Sequence, residues 1–390
     1  MPELSTVRAF LEEHHHRLVE RAVEFVHHDL RPLGEADSDD AARRQAREVL
    51  ARLGDGGWLQ PIADRDLRAC GLLRETLAEV SPLADAVFAL QALGSMPLLL
   101  AASDSVRETW LPRILRGEVM TAFAMTEEEA GSDVARLTST AVRDGDGYVL
   151  SGEKSFISNA GLADLYTVFA VTDPEAGKRR LSCFLVSADT AGFEFVAPQV
   201  LSAPHPLGRI AFHGCRVGRE MRLGAEGDGL KVGLGTLDRL RATVGAAACG
   251  MAQRALDEAL DHALTRSVGD GTVLGDYQLI REKLARSATE LAAARLLVYR
   301  ALWERDLGAE RTTVEAAMAK SFATEAAQRI VDDAIQVLGG RGCLAQHPVD
   351  RLYRAVRALR IYEGTTEIQH LILAGHLLAA RRRRLDEEAG

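Results

Sequence analysis

The sequence predicts a mainly helical protein with a central β-domain. Apolar residues recur at helical spacing through about the first 120 residues. From about 121 to 225 the pattern shifts to short alternating runs separated by turn residues, and from about 226 the helical spacing returns almost to the end. The expected organisation is an N-terminal helical domain over 1–120, a β-barrel or sandwich over 121–225, and a C-terminal helical bundle over 226–390.

Leu11, Leu18, Val19, Val23 and Val26 mark the first helix, and Pro32 breaks it because proline has no N–H to continue the ladder. His14-His15-His16 lies on this helix and reads as surface. Asp37 to Asp40 cap a second helix lined by Val49, Leu50 and Leu53, which stops at Gly54-Asp55-Gly56-Gly57. Another spans Asp66 to Val80. Ser81-Pro82 then opens a more apolar one through Leu93, with proline in its first turn.

In the middle region, Thr138–Val142 and Tyr148–Leu150 flank Asp144-Gly145-Asp146-Gly147, a hairpin with Asp-Gly turn chemistry. Leu165–Val171, Leu181–Val186, Phe193–Val196, Ile210–Phe212 and Arg216-Val217 read as further short strands. Beyond them, the helix from Asp276 to Arg305 repeats Leu284, Leu291 and Val298 every seven residues, a bundle seam. Thr312-Thr313-Val314-Glu315 reads as a capping box for the next helix, and Leu338-Gly339-Gly340 as its stop.

Composition narrows the function. The chain has 390 residues, 47% of them hydrophobic, and a net charge of -9, which argues against nucleic acid as a partner. The Arg381–Arg384 run is followed at once by Asp386, Glu387 and Glu388 and reads as a solvated tail. The five cysteines are scattered without a Cys-x-x-Cys pair, which suits core thiols in a reducing compartment. Neither a signal peptide nor a run of 18 apolar residues is present, so a cytoplasmic protein without a membrane span is expected. A metal site is not expected, because no His-Glu-x-x-His motif occurs. Gly227-Asp228-Gly229 and Gly233 have the wrong spacing for a dinucleotide loop, and there is no phosphate loop or nucleophile elbow.

The stretch most suggestive of chemistry is Arg360-Ile361-Tyr362-Glu363-Gly364-Thr365-Thr366-Glu367-Ile368. A strand-like or loop approach would end in Glu363, Gly364 would let the backbone turn, and Thr365 or Thr366 would cap the following helix. That places a carboxylate at a helix mouth on irregular backbone, where a general base is often held. Taken alone, the same residues also read as an exposed turn. Phe123-Ala124-Met125-Thr126-Glu127-Glu128-Glu129-Ala130-Gly131-Ser132-Asp133 is either an acidic surface loop or one that offers N–H groups and a hydroxyl to a ligand.

Together with Ser151–Ala160, Arg266–Gln278 and Gln336–Gly342, these stretches occur in the order found in the acyl-CoA dehydrogenase family, and the chain resembles that family over roughly residues 90 to 375. The resemblance implies that family's three-domain fold, FAD, an acyl-CoA substrate, a homotetramer built as a dimer of dimers, and an electron-transferring flavoprotein as partner in fatty acid metabolism. It implies Glu363 as the catalytic base. Phe123, Met125, Thr126, Gly131 and Ser132 would lie in the flavin loop, which here carries Glu128 and Glu129 where the family has Pro and Gly. Phe156 would flank the isoalloxazine where tryptophan is usual, and Ser158 would stand near flavin N5 where threonine is usual. Arg266, Gln278, Gln336, Gly339, Gly340, Thr365 and Glu367 would contact FAD, the segments around 266–278 and 336–340 reaching that of a neighbouring subunit. Ser132, Asp238, Arg241 and Gly364 would contact substrate. Two readings remain beside this one: a related flavoenzyme acting on a carrier-protein thioester or using oxygen, and a structural subunit that has lost FAD.

Overall fold

The structure is a computed structural model and describes residues 4–389. Six helices come first: α1 (Glu13–Phe25), α2 (Asp39–Asp55), α3 (Gln60–Asp64), α4 (Leu67–Val80), α5 (Pro82–Ala101) and α6 (Asp104–Leu115). Eight strands follow: β1 (Thr121–Ala124), β2 (Thr140–Asp144), β3 (Gly147–Ser158), β4 (Leu165–Val171), β5 (Leu181–Ser187), β6 (Phe193–Pro198), β7 (Leu207–Gly218) and β8 (Arg222–Leu223). Then come α7 (Gly229–Thr265), a small hairpin of β9 (Ser267–Gly269) and β10 (Thr272–Val273), α8 (Gln278–Asp306), α9 (Thr313–Leu338), α10 (Pro348–Leu359) and α11 (Thr366–Ala389). The chain divides into two compact units, and the division falls inside α7 after Leu240.

The β-containing unit comprises Pro32–Asp66 and Leu83–Leu240. Its sheet runs in the order β6-β7-β3-β2-β4-β5-β8, with β1 added in parallel to β4. Ile210–Phe212 and Arg216-Val217 are one strand, β7, because His213 and Cys215 pair with β3 and a bulge opposite Leu150/Ser151 absorbs Gly214. On α5, the Gln91 amide accepts from Thr121 N at 2.7 Å and donates to Val119 O at 2.9 Å, docking the helix on β1. Leu98, Met125, Phe169, Leu185 and Leu223 form part of the apolar core. α5 runs about two turns past Leu93 and takes Pro97 into its interior. By length and composition it could cross a membrane, although Asp85 and Gln91 interrupt its apolar run; in this fold that apolar surface is mostly buried in the protein.

The helical unit comprises the chain up to Arg31, Leu67–Pro82 and the chain from Arg241 onward. α9 packs against α8, α10 and α11. Its buried face is rich in alanine (Ala316, Ala317, Ala319, Ala323, Ala326), and such small side chains permit close helix approach. A polar knot ties α4 to α7 and α8. The buried Glu75 accepts from Arg295 Nε and Tyr299 OH, both at 2.7 Å, and Arg295 reaches Gln253 on α7 at 3.0 Å. Two local expectations fail here. His15 is fully buried, its Nδ1 accepting from Glu12 N at 3.0 Å to close the first turn of α1. Thr312 sits at the N-cap of α9 but makes no side-chain capping bond, its backbone lying outside the extended region that such a bond needs.

Candidate functional site

In the helical unit the turn between α10 and α11 is built around Glu363. Of the strand-like and loop approaches expected, the loop is found: α10 ends at Leu359, and a turn over 360–363 follows in which Ile361 N and Tyr362 N both donate to Ala358 O. Glu363 takes φ 55° and Gly364 φ 92°, so the chain reverses on two left-handed residues. The φ of 92° at Gly364 favours glycine, and a Cβ there would also lie 2.5 Å from Gln369 Nε2 and displace that side chain from the carbonyl it bonds. Thr365 Oγ1 then accepts from Ile368 N at 3.3 Å, capping α11 as expected.

Donors from three helices hold this turn by its carbonyls. Arg241 Nε on α7 donates to Glu363 O at 3.3 Å. Lys320 Nζ on α9 donates to Gly364 O at 2.7 Å, and Gln369 Nε2 on α11 donates to the same oxygen at 2.9 Å. Below them, Glu325 Oε1 accepts from Arg360 Nε at 2.7 Å and Thr366 Oγ1 at 2.8 Å, pinning both ends of the turn. The Glu363 side chain is partly buried, with Oε2 out of water, and Glu367 is exposed. Neutral Gln369 and charged Arg241 and Lys320 thus fix the backbone of a partly buried carboxylate. Such a group is suited to take or give a proton at a fixed point. Elsewhere in this unit, Arg266 and Gln278 bracket the β9–β10 hairpin, and Gln336, Gly339 and Gly340 close α9; all five are exposed. A Cβ on Gly339 or Gly340 would meet nothing within 4 Å.

In the β-containing unit the acidic segment after β1 is a closed loop, with Glu127 N and O bonded to Ala130 O and N. The Glu127 carboxylate turns inward. It accepts from Thr138 N at 2.7 Å, Thr138 Oγ1 at 2.8 Å, Ser139 N at 2.9 Å and the fully buried Lys154 Nζ at 2.8 Å. Burial alone would raise its pKa, but the Lys154 charge and these hydrogen bonds outweigh it and hold the group at about 2. Glu127 therefore organises the loop. Glu128 and Glu129 are exposed, so the two extra charges face water, and Glu128 accepts from Ser155 Oγ at 2.7 Å. Gly131 and Ser132 are exposed at the loop tip, Thr126 and Phe123 are half-buried, and the Met125 side chain is buried in the core.

Beside this loop, β3 bulges against β7 between Lys154 and Ile157. The bulge puts Phe156 on left-handed backbone (φ 58°) with half its surface exposed, and Phe156 N donates to Gln199 Oε1 at 2.7 Å. Two residues on, half-buried Ser158 shares a 2.7 Å hydrogen bond with His205 Nε2. Burial and the nearby Arg43 push the His205 pKa down to about 4, so its ring is neutral at pH 7. Asp238, in the α7 segment of this unit, keeps a buried Oδ1 without a hydrogen-bond partner among the described residues.

The sequence reading did not single out Lys320, Gln369, Lys154 or His205. For Lys320 a signal existed: one lysine on an alanine-rich face of α9. For His205 there was none, since its partner lies 47 residues away.

Known proteins match this chain along most of its length. Family models described as the N-terminal, middle and C-terminal domains of acyl-CoA dehydrogenase match residues 12–118, 122–215 and 227–378. A 3-(aryl)acrylate reductase of Clostridium sporogenes is 35% identical over 379 residues, covering 95% of this chain and 100% of that protein. Among solved structures, a chain in the electron transferring flavoprotein structure from Acidaminococcus fermentans superposes with TM-score 0.88 at 30% identity, covering 94% of this chain and 98% of that one. PigA in complex with FAD and proline superposes with TM-score 0.85 at 26% identity, covering 94% and 98%.

Proposed function

We infer the activity from the fact that this chain belongs to the acyl-CoA dehydrogenase family of oxidoreductases: it removes two hydrogens from an acyl-CoA thioester, giving the 2,3-enoyl product. The observation that carries this reading is the Glu363 turn, a partly buried carboxylate on left-handed backbone whose carbonyls are held by donors from three helices. Glu363 takes the proton from the carbon next to the thioester carbonyl. The Glu363 backbone N–H is offered to the thioester oxygen, where negative charge develops as that proton leaves.

The residues present fit FAD. Phe156 offers an exposed aromatic face on a rigid bulge, and Thr126 and Ser158 offer neutral hydroxyls. Exposed Arg266 and the open backbone at Gly339 and Gly340 suit a diphosphate approaching from a neighbouring subunit. When bound, FAD supplies the acceptor for the hydride that leaves the adjacent carbon. Of the residues proposed to contact substrate, Arg241 and Gly364 belong to the helical unit, and Ser132 and Asp238 to the β-containing unit, where Asp238 Oδ1 is buried without a hydrogen-bond partner among the described residues.

The partners follow from the same reading. An electron-transferring flavoprotein receives the electrons, supported by the likeness to a chain in the Acidaminococcus fermentans structure. A dimer of dimers is supported by Leu279, Leu371, Leu377 and Leu378, each about two-thirds exposed or more on α8 and α11. A cytoplasmic location is supported by five free cysteines.

One alternative has a specific support. The likeness to a 3-(aryl)acrylate reductase favours the same chemistry run in reverse, with Glu363 giving its proton to the carbon next to the carbonyl. An anaerobic visible spectrum of the holoenzyme, recorded with a panel of acyl-CoAs, separates the cases. Bleaching by a saturated thioester is expected. Bleaching by none, with reoxidation of the reduced enzyme by an arylacrylyl thioester, would favour the reductase. Glu363→Gln should keep FAD and lower the rate of flavin reduction about 10²–10⁴-fold. An unchanged rate in that variant would overturn the assignment of the base.

A further inference from the structure

Lys320 is fully buried on α9, and the function described above uses it only as a hydrogen-bond donor to the turn, not for its charge. Its ammonium has three protons to donate, and Gly364 O is its one hydrogen-bond partner among the described residues. Burying an ammonium costs several kcal/mol unless negative charge compensates it. Burial lowers the pKa of Lys320 to about 8, with Glu363 the strongest opposing attraction, so the group is still mostly protonated at pH 7. Charges from several elements act on it. Glu363 on the turn, Glu325 on α9 and Glu367 on α11 attract it, Arg241 on α7 opposes, and Arg360 at the end of α10 is already engaged by Glu325.

A hydrogen bond to Gly364 O does not in itself need a charge, because neutral Gln369 donates to the same oxygen at 2.9 Å. What Lys320 adds to Gln369 is a fixed positive charge behind the Gly364–Thr365 peptide, one residue on from Glu363. We propose that Lys320 is a positioning residue for the base: it anchors the Glu363 turn from within the bundle and, through its charge, keeps the Glu363 carboxylate ionised when substrate expels water. The proposal rests on the reading of Glu363 as the base. A carboxylate losing its water tends toward the protonated form, which takes no proton, and Lys320 adds to the opposing charge of Arg241. No proton leaves Lys320 in this role; the substrate proton goes to Glu363 alone.

The test is rapid-mixing reduction of the FAD-loaded enzyme by its best acyl-CoA across pH, with FAD content and the melting curve measured alongside. Lys320→Met is expected to hold FAD and to move the acid limb of the rate profile about one unit to higher pH, so most of the lost rate returns at alkaline pH. Gln369→Leu removes the neutral donor from the same carbonyl and is expected to lower the rate without moving the limb. If Lys320→Met also leaves the limb in place, Lys320 only pins the backbone and the proposal is overturned. Should Lys320→Met fail to fold, Lys320→Gln removes the charge while keeping a donor, and the same limb decides. Failure of the underlying reading is separate: it would show as flavin reduction surviving in Glu363→Gln.

Discussion

Lys154 and Lys320 are both fully buried, and each holds a loop that carries recognised motif residues. In the β-containing unit, Lys154 bonds a carboxylate. Glu127 takes that charge at 2.8 Å together with three further donors, and its low pKa leaves it no capacity as a base near neutrality. In the helical unit, Lys320 bonds the carbonyl next to an acid instead of the acid itself, and the Glu363 carboxylate stays partly exposed. The residue types are the same and the outcome differs. A buried lysine that saturates an acid makes a scaffold, whereas one that holds the peptide beside an acid leaves a reactive group.

The largest effect that would test this contrast is on folding. Glu127→Gln strands the Lys154 charge in the core, and removing one partner of a buried pair typically costs about 3–5 kcal/mol. Glu363→Gln removes one of several charges that attract Lys320, whose hydrogen bond to Gly364 O remains, so it should cost less than Glu127→Gln while abolishing most activity. Urea unfolding of the two variants measures the difference. A Glu127→Gln protein as stable as the parent would break the contrast, since the loop would then not depend on its ion pair.

What the sequence showed of these two loops was their local part. Glu363, Gly364 and Thr365 are neighbours, and a glycine after an acid followed by hydroxyls is a turn signal that needs no tertiary knowledge. The groups that hold them are remote: Lys320 lies 44 residues from Gly364, Glu127 lies 27 from Lys154, and His205 lies 47 from Ser158. A lone lysine in an alanine-rich helix reads as a solvated side chain until the bundle closes over it. The helical and strand regions were legible because their periods differ. The capping bond at Thr312 was misread because a capping-box pattern fixes residue types but not the extended backbone that the cap requires.

An intermediate effect is expected at Gly364. Alanine there would hold φ 92° and crowd Gln369 Nε2, so Gly364→Ala should cost about 1–3 kcal/mol and lower flavin reduction in proportion to the displaced turn. Gly339→Ala, at φ 60° and ψ -141° but in open space, should be strained by its backbone alone and leave the rate of flavin reduction by substrate unaltered once FAD is saturating. Melting curves and reduction rates of the pair check whether crowding at the base turn, rather than left-handed backbone alone, is what matters.

The smallest effect separates two titrations within the β-containing unit. His205 is held neutral beside Ser158, with its pKa lowered to about 4 from an ordinary 6.5. Between those values the unfolded chain binds the proton and the folded chain does not, so stability falls as pH drops from 6.5 toward 4. One proton gives at most about 1.4 kcal/mol per pH unit, and the partly exposed ring should give less. Glu127 acts in a lower window: its contribution is complete above about 4.5 and is lost as pH falls toward 2. His27 and His262 are lowered too, so the wild-type slope alone does not isolate His205. Subtracting the slope of His205→Gln from that of the wild type does. Urea unfolding at pH 6.5 and 5 should show the variant losing less stability than the parent. Equal losses would mean that His205 protonates without leaving Ser158, and that the Ser158 contact is as indifferent to pH in this range as the Glu127 pair.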